Sequence, residues 1–431
     1  MRTMPPKGLP THPKVWRRDR LKDVSAINRR SLGASTDPNV ELDYLEISNV
    51  NSLGIVDRSK IEHFRFADAP SRARRCLAEG ATIISSVRPN LQAIAFIDET
   101  DSNLICSTGF NVVEPVRHKL EPRYLYYYLL SDDAKQYFVA TAKGVGYPAI
   151  DDKEFSTVEV PLPPMPEQER IAAFLDAKCA DIDKAIEAKR KQLDLLEVQW
   201  KNEITRQVVF GGLDLRQSTN IVWMPEIKRG WRTVSLKRLL KTKMEYGLSE
   251  AAELEDRELP RYIRITDFDE NGALKDETFR SLPVDIAKGA MLQVDDVLFA
   301  RSGATVGKSF IYEGWDRGAC FAGYLIRAQT KPWLLDPHYL YYFTKSLSYD
   351  AWKNLIFTQA TIQNISAVKY GMMKLPVPPI GEQKDIVKRL DERHLHMERL
   401  FDNLRRQIEV LTDYRKSLIH EYVTGERRVA S

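Results

Sequence analysis

The chain repeats one short motif at a distance of 215 residues. The stretch PPMPEQERI, which ends at Ile171, returns as PPIGEQKDI, which ends at Ile386. The same offset aligns LEPRYLYYYLLS at 120–131 with LDPHYLYYFTKS at 335–346. Similarity at one fixed offset over such a span indicates a duplicated architecture. Because 431 residues are also too many for one ordinary core, the sequence predicts two copies of one structural unit.

The first part of each copy has the pattern of a mixed domain. Short β-branched and aromatic runs, namely ATIISSV, AIAFI, DDVLFA and SFIY, alternate with turn residues and with the helical stretch PRYLYYYLL. This mixture is typical of an α+β domain. We place the two domains at residues 1–160 and 216–375, and the helical segments that follow them at residues 161–215 and 376–431.

Each copy closes with a long predicted helix. Either Pro164 or Pro166, followed by Glu167, opens the first helix, and Pro379 with Gly381 and Glu382 opens the second. Proline suits a first turn and an acid suits the positive helix end. Apolar residues then recur at heptad-like spacing, without proline or glycine before Gly211 in the first helix. Two such helices of about 43 residues carry apolar stripes that need a partner. The alternative, a helix packed on a globular core, rarely exceeds about 25 residues.

The linker between the copies predicts the direction of the helix pair. From Gly212 to Trp231 there are about 18 residues, which span about 60 Å only when fully extended. A parallel pair needs that extension, whereas an antiparallel pair does not. The predicted fold is therefore α+β, with two duplicated α/β domains separated by two long antiparallel helices that form a coiled-coil rod with pseudo-two-fold symmetry.

Composition excludes several classes of protein. The four cysteines form no CxxC pair and the seven histidines show no ligand spacing, so we expect buried thiols and no metal site. No run of eighteen apolar residues is present, and we expect a cytoplasmic protein without membrane contact. The net charge of +4 alone does not indicate nucleic acid.

The motifs that suggest catalysis are incomplete. GATVGKS at 303–309 has three residues between its first glycine and the Gly-Lys pair, whereas the phosphate-binding loop of NTPases has four. The Pro-Pro pairs lack the polar residue before them and the aromatic residue after them that adenine methyltransferases use; Leu162 and Val377 precede them here. We therefore predict no catalytic residues and no cofactor.

Taken together and in this order, these motifs resemble one family, the DNA-specificity subunits of type I restriction-modification systems. The resemblance covers nearly the whole chain and is carried by PLPPMPEQERIAAFLDAKCADID, LPVPPIGEQKDIVKRLDERHLHM, GATVGK and the two PxYLYY helices. It implies a non-catalytic subunit with two target-recognition domains, each of which reads one half of a bipartite asymmetric target in double-stranded DNA. The helices would set the spacer and dock two modification (methyltransferase) subunits, with restriction subunits bound through the complex. The first copy departs from the pattern, because it has SSVRPN where the second has ARSGAT.

Loops rich in Arg, Asn and Gln are the candidates for base recognition. Arg can form two hydrogen bonds with the edge of guanine, and Asn or Gln can form two with the edge of adenine. Lys308 is assigned to a phosphate, since lysine presents a point charge and not a planar fork. The candidates in the first domain are Arg88, Asn90, Lys143 and Tyr147, and those in the second are Arg301, Ser302, Thr305, Lys308, Gln359, Thr361, Gln363 and Asn364.

A coiled-coil scaffold that bridges two protein partners without binding DNA is the alternative function. It would share the duplication and the long helices. It would not need exposed Arg, Asn and Gln loops on both domains.

Overall fold

The computed structural model of the chain describes residues 16–51, 54–88, 93–99, 103–144, 148–213, 215–269, 272–303, 305–358 and 363–429. The chain divides into two compact units, Met1–Arg190 with Arg405–Ser431, and Lys191–Leu404. Each unit contains one α/β domain and parts of two long helices.

In the first unit most strands come first, and three short helices and a last strand follow them before the long helix. Its elements are β1 (Arg17–Arg20), α1 (Leu21–Val24), β2 (Ser25–Ile27), β3 (Glu41–Leu45), β4 (Glu62–Arg65), β5 (Ala73–Cys76), β6 (Thr82–Ser85), β7 (Ile94–Phe96), β8 (Leu104–Ser107), β9 (Phe110–Pro115), α2 (Pro122–Leu130), α3 (Asp132–Thr141), α4 (Asp152–Phe155), β10 (Glu159–Leu162) and the start of α5 (Met165–Phe210). The described strands form sheets of order β2-β9-β6-β7 and β4-β3-β8-β5, and β1 pairs with β10. The β3–β8 pair is parallel.

The second unit has a related plan, with an added hairpin and without described counterparts of β4 and β5. Its elements are β11 (Arg216–Ser218), β12 (Glu226–Lys228), β13 (Arg232–Ser235), β14 (Glu245–Tyr246), β15 (Arg261–Ile263), α6 (Val284–Ala287), β16 (Val297–Ala300), β17 (Ser309–Ile311), β18 (Ala319–Phe321), β19 (Leu325–Ala328), α7 (Pro337–Phe343), α8 (Leu347–Thr358), α9 (Ala367–Met372), β20 (Lys374–Val377) and the start of α10 (Ile380–Thr424). The described strands pair in the order β14-β19-β16-β17, with β11-β12, β13-β20 and a parallel β15-β18 pair.

The predicted duplication is confirmed by the elements themselves. Strands β16, β17 and β20 and helices α7, α8 and α10 each begin 215 residues after β6, β7, β10, α2, α3 and α5. The pairing order β9-β6-β7 returns as β19-β16-β17. The parallel pair β3-β8 returns as β15-β18. One fold is therefore present twice, in agreement with the predicted class.

The long helices begin and end as their sequence predicts. Helix α5 has 46 residues and helix α10 has 45, and each has a glutamate in its first turn. Gly211 and Gly425, directly after the helix ends, have φ angles of +62° and +84°. Only glycine adopts this left-handed conformation without strain, so the two glycines terminate the helices.

Within each unit the two helix segments run antiparallel, as predicted. In the first unit the rings of Phe174 and Tyr422 lie 4.6 Å apart, and Asp183 pairs with Arg415 at 2.9 Å. The partner's number falls as the residue number rises, which defines an antiparallel pair.

The second unit has the same arrangement. The rings of Trp200 and His394 stack at 5.8 Å, and the Arg389 Nε lies 3.3 Å from the Gln207 Oε1. One hydrophobic core in each unit thus contains the start of one long helix and the end of the other.

The glutamine of the repeated EQ motif forms hydrogen bonds that connect each domain to its long helix. The Gln168 side chain is 1% exposed. Its Nε2 donates to the carbonyls of Lys119 and Pro163 at 3.2 and 2.9 Å, and its Oε1 accepts from the Glu121 amide at 2.9 Å. The repeated motif therefore marks a buried three-way junction.

Gln383 makes the same three bonds in the second unit. Its Nε2 donates to the carbonyls of Leu334 and Pro378, both at 2.9 Å, and its Oε1 accepts from the Asp336 amide at 2.8 Å. All four residues lie 215 positions after their counterparts, so the two junctions are equivalent.

The repeated tyrosines make a second set of equivalent bonds. The Tyr124 hydroxyl donates to the carbonyls of Pro161 at 2.9 Å and Val423 at 3.1 Å. The Tyr127 hydroxyl donates to the Asp176 carboxylate at 2.7 Å. Helix α2 is thus bonded to its own long helix and to the end of the other one.

In the second unit Tyr339 and Tyr342 take these roles. Tyr339 donates to the carbonyls of Val208 at 2.7 Å and Pro376 at 3.2 Å, and Tyr342 donates to Asp391 at 2.6 Å. The buried hydroxyls are satisfied in this way, which explains why the YLYY motif is repeated.

The described part of the chain offers no membrane-crossing helix and no group of three metal-ligating side chains. Cys106, Cys179 and Cys320 are buried thiols, as expected. The prediction was wrong for Cys76, which is partly exposed because it lies on strand β5 at the edge of its sheet.

Candidate nucleic-acid interface

The loop Arg301–Lys308 of the second domain joins two antiparallel strands. The Ala300 amide donates to the Lys308 carbonyl at 2.9 Å, and the Gly307 amide donates to the Ala300 carbonyl at 3.0 Å. A phosphate-binding loop of an NTPase instead opens a helix. The described residues of the GATVGK motif lie in the turn of a β-hairpin between β16 and β17.

The glycines of this turn have a local structural reason. Gly303 and Gly307 have φ angles of +78° and +81°. A Cβ atom on Gly307 would lie 2.4 Å from the Lys353 Cδ. The turn therefore requires glycine for its backbone conformation and for its close approach to helix α8.

Two distant segments meet at this loop, and one of them carries candidate residues. The Arg301 amide donates to the Tyr324 carbonyl at 3.0 Å, and the Ile365 amide donates to the Arg301 carbonyl at 2.9 Å. Ser302 and Asn364 form an isolated β-bridge. The structure thus brings together the backbones of three candidate residues, Arg301, Ser302 and Asn364.

Three polar atoms of the candidate residues are buried and have no hydrogen-bond partner among the described residues. They are the Arg301 Nε, the Thr305 Oγ1 and the Asn364 Oδ1. The Arg301 guanidinium lies 4.9 Å from the ring centre of Tyr246, which holds it by a cation–π contact. Unsatisfied buried polar groups are costly, so a binding partner that supplies donors and acceptors would stabilise this loop.

A depression beside Arg301 contains polar residues that the sequence interpretation missed. Its volume is about 690 Å³, and its lining includes Glu250, Arg264, Thr266 and Tyr324. The Arg264 guanidinium is held by two bonds to the Asp267 carboxylate, at 3.1 and 2.8 Å.

Tyr324 is 62% exposed and follows Gly323 in the turn between β18 and β19. An exposed aromatic directly after a turn glycine is the signal that could have identified it. Glu250 lies in the segment after β14, and Arg264 and Thr266 lie in the segment after β15. Neither segment carries a recognisable motif.

The first domain repeats the backbone junction with different side chains. The Ser86 amide donates to the Gly109 carbonyl at 2.8 Å, and the Ile150 amide donates to the Ser86 carbonyl at 2.9 Å. Val87 and Ala149 form the β-bridge. These residues lie 215 positions before Arg301, Tyr324, Ile365, Ser302 and Asn364.

Arg88 and Lys143 lie at this first junction. Arg88 is exposed, has a φ angle of +50° and donates its amide to the Pro148 carbonyl at 2.7 Å. The Lys143 ammonium pairs with Glu154 at 2.8 Å and with Asp151 at 3.3 Å, and these bonds raise the pKa of Lys143. A phosphate would have to compete with two carboxylates for Lys143.

The remaining candidates are distributed as follows. Gln363 and Lys308 are exposed. Four others lie outside the described residues, namely Asn90, Tyr147, Gln359 and Thr361.

A family model described as the type I restriction modification DNA specificity domain matches residues 13–195 and again residues 228–404. The chain belongs to this family. The two matches agree with the two copies of the fold.

Two curated relatives match over most of their length. The type I restriction enzyme MjaVIII specificity subunit of Methanocaldococcus jannaschii is 25% identical over 349 residues, which cover 75% of each chain. The putative MjaX specificity subunit of the same organism is 23% identical and covers 97% of this chain and 95% of its own.

A solved structure shares the fold. It comes from work on complex assembly and conformational transition of the type I restriction-modification system, and it matches with a TM-score of 0.69 at 23% identity. The match covers 97% of this chain and 100% of that chain.

Proposed function

We propose that this chain is the DNA-binding specificity subunit of a type I restriction-modification complex. Each α/β domain reads one half of a bipartite asymmetric target, with the domains at residues 1–160 and 216–375. The helical segments 161–215 and 376–431 set the spacer and dock two modification subunits. The chain itself is non-catalytic, and restriction subunits join through the complex.

The observation that carries this proposal is one backbone junction with two different sets of side chains. Where the second domain has Arg301, Ser302 and Asn364, the first has Ser86, Val87 and Ala149. Equivalent backbones place these side chains at equivalent positions, so the hydrogen bonds offered to base edges differ. Two such readers in one chain suit a target with unlike halves, whereas identical readers suit a palindrome.

Arg301 is the residue that we expect to contact a base in the second half-site. Its guanidinium can offer two parallel donors to guanine O6 and N7, and its contact with Tyr246 limits its orientations. Arg301→Ala should weaken recognition of one half-site by about 1 to 3 kcal/mol and leave the other half unchanged.

The test is methylation mapping of DNA treated with the chain and its modification subunits. Arg301→Lys is the matched variant, because it keeps the positive charge but loses the planar pair of donors. Arg317→Ala, an exposed arginine of the same domain, is the control. Rescue by lysine, or an equal loss on all duplexes, would show that Arg301 contacts a phosphate.

The spacer role of the helices can be tested at the boundaries between the two compact units. Four residues inserted after Arg190 and four after Leu404 lengthen both helices by about 6 Å. Duplex DNA rises about 3.4 Å per base pair, so the gap between unchanged half-sites should grow by one or two base pairs. Changed half-sites with the same gap would contradict the spacer role.

Exposed apolar side chains on the long helices support the docking of protein partners. They include Leu195, Val198, Leu395 and Val410, and such exposure often marks an interaction surface. The alternative scaffold shares this feature but predicts no DNA binding. Retention of duplex DNA that falls with added salt, by the chain or its complex, distinguishes the two functions.

The non-catalytic character is tested with the pure chain. It should show no methyl transfer, nuclease or ATPase activity, and added modification subunits should supply methylation. Methyl transfer by the chain alone would overturn this part of the proposal.

A further inference from the structure

Four lysines lie close to the β16–β17 loop in the second unit, and we name them the lysine cluster. Lys308 ends the loop, Lys345 precedes helix α8, Lys353 lies on α8 and Lys201 lies on α5. Asp350 is the carboxylate among them. Its oxygens bind Lys353 at 2.8 Å and Lys201 at 3.1 Å.

The other two lysines have no carboxylate partner among the described residues. The Lys345 ammonium donates to the Ser309 carbonyl at 2.9 Å and lies 4.5 Å from the ring centre of Tyr341. Lys308 is exposed at the end of the loop. The stem of Lys353 packs against Gly307 of the same loop, so the cluster surrounds one side of the hairpin turn.

The charges in this cluster repel one another. Burial, together with the positive charges of Lys308 and Lys353, lowers the pKa of Lys345 to about 8. Burial acts to raise the pKa of Asp350, but the bonds from Lys353 and Lys201 outweigh it and the pKa is lowered. Like charges at short range are unfavourable, so a bound anion would stabilise the cluster.

The shared fold does not require these lysines. The positions 215 residues before Lys308, Lys345 and Lys353 are Ala93, Leu130 and Phe138, and all three belong to the hydrophobic interior or its edge. The cluster is therefore a feature that the second domain adds to the common frame.

We propose that Lys308, Lys345 and Lys353 together bind a backbone phosphate of duplex DNA beside the half-site that the second domain reads. This rests on the proposed DNA-binding function. Lys308 shares its loop with Arg301 and Thr305, so a phosphate held here would neighbour the base contacts. Lysine suits this role because its compact charge needs no particular planar geometry.

The site also couples DNA binding to the protonation of Lys345. Near pH 8 part of the Lys345 population is neutral in the free protein, and a phosphate in the cluster favours the charged form. The groups that face this ammonium are Lys308, Lys353, Lys201 and Asp350. Affinity for DNA should therefore fall as the pH rises through 8, because the complex must take up the missing proton.

The test is the salt dependence of DNA affinity, measured by fluorescence anisotropy with the full chain in its modification complex. The probe is a fluorescein-labelled mixed-sequence duplex longer than two helical turns. Lys308→Gln should lower the slope of log affinity against log salt by about 0.9, the value for one phosphate contact. Lys288→Gln, an exposed lysine elsewhere in this domain, should leave the slope unchanged.

Lys345→Met gives the second arm, since methionine keeps the length and apolar stem while it removes the charge. It should lower the salt slope and abolish the change of affinity around pH 8. Wild-type slopes in both variants would overturn the phosphate site alone. Normal DNA binding with lost association of modification subunits would overturn it in favour of a protein contact. If the wild-type complex bound no duplex, the result would contradict the proposed DNA-binding function itself.

Discussion

Replacement of the junction glutamine should open the contact between each domain and its helix. Gln383→Leu removes three hydrogen bonds from a side chain that is fully buried. One bond is buried and two are partly buried, so we assign about 2 kcal/mol to the first and about 1 kcal/mol to each of the others. The expected loss is about 4 kcal/mol of local stability.

The assay is amide hydrogen exchange by mass spectrometry, because a chain of two units need not unfold in one step. Peptides that cover the start of helix α7 should exchange about a thousandfold faster in Gln383→Leu, since about 1.4 kcal/mol corresponds to a factor of ten. Gln168→Leu should have the same effect at the start of α2 and leave α7 unchanged. Lys384→Ala, next to Gln383 but exposed, is the control.

The reasoning is refuted if Gln383→Leu folds and its α7 peptides exchange at the wild-type rate. It is also refuted if Lys384→Ala has an equal effect. Either result would mean that apolar packing alone fixes the domain on the helix.

Three further predictions concern the same unit. Tyr339→Phe leaves two backbone carbonyls without their donor and should cost about 1 to 3 kcal/mol of local stability, measured by hydrogen exchange of helix α7; no loss would mean that water replaces the hydroxyl. Gly307→Ala should cost about 1 to 3 kcal/mol because of its φ of +81°, whereas Gly289→Ala, whose Cβ meets only ordinary contacts, should not. Lys345 has its pKa lowered to about 8 from 10.5, so the unfolded state binds more protons between these values, and stability should rise with pH across that window. The difference between wild type and Lys345→Met isolates this effect, and a flat difference would contradict it.

Much of the architecture could be predicted because the sequence contains two copies of the same structural unit. The fixed offset identified the duplication, and the apolar spacing with the glutamates and terminal glycines identified the helices. Local rules of this kind need only neighbouring residues. The antiparallel direction followed from the length of the linker.

The roles of the repeated side chains could not be predicted in the same way. Gln168 stands in an obvious motif, yet its three partners come from two loops, and the sequence does not show which backbone groups lack a partner. The repeated tyrosines of the YLYY helices indicated the duplication but not the partners of their hydroxyls. Their hydroxyls bond to helix ends that only the folded chain brings near them.

The candidate site shows the same limit. Arg301, Ser302 and Asn364 were chosen by chemistry, and their meeting depends on a bridge between distant segments. Glu250 and Arg264 were missed because no motif marks their loops, and Tyr324 because its only signal is an aromatic residue after a turn glycine. The lysine cluster was found only in part, since Lys345 and Lys353 are distant from Lys308 in the chain.

The bond between Tyr124 and Val423 has a consequence for synthesis on the ribosome. These residues are 299 positions apart, and at about 5 to 20 residues per second the second emerges about 15 to 60 s after the first. Until then the nascent first domain lacks the apolar residues Leu418, Ile419 and Tyr422 that complete its core. The second unit is complete once Leu404 has emerged. The domain that is made first is therefore the last to be finished, and a ribosome that stalls late in the message leaves its hydrophobic surface uncovered.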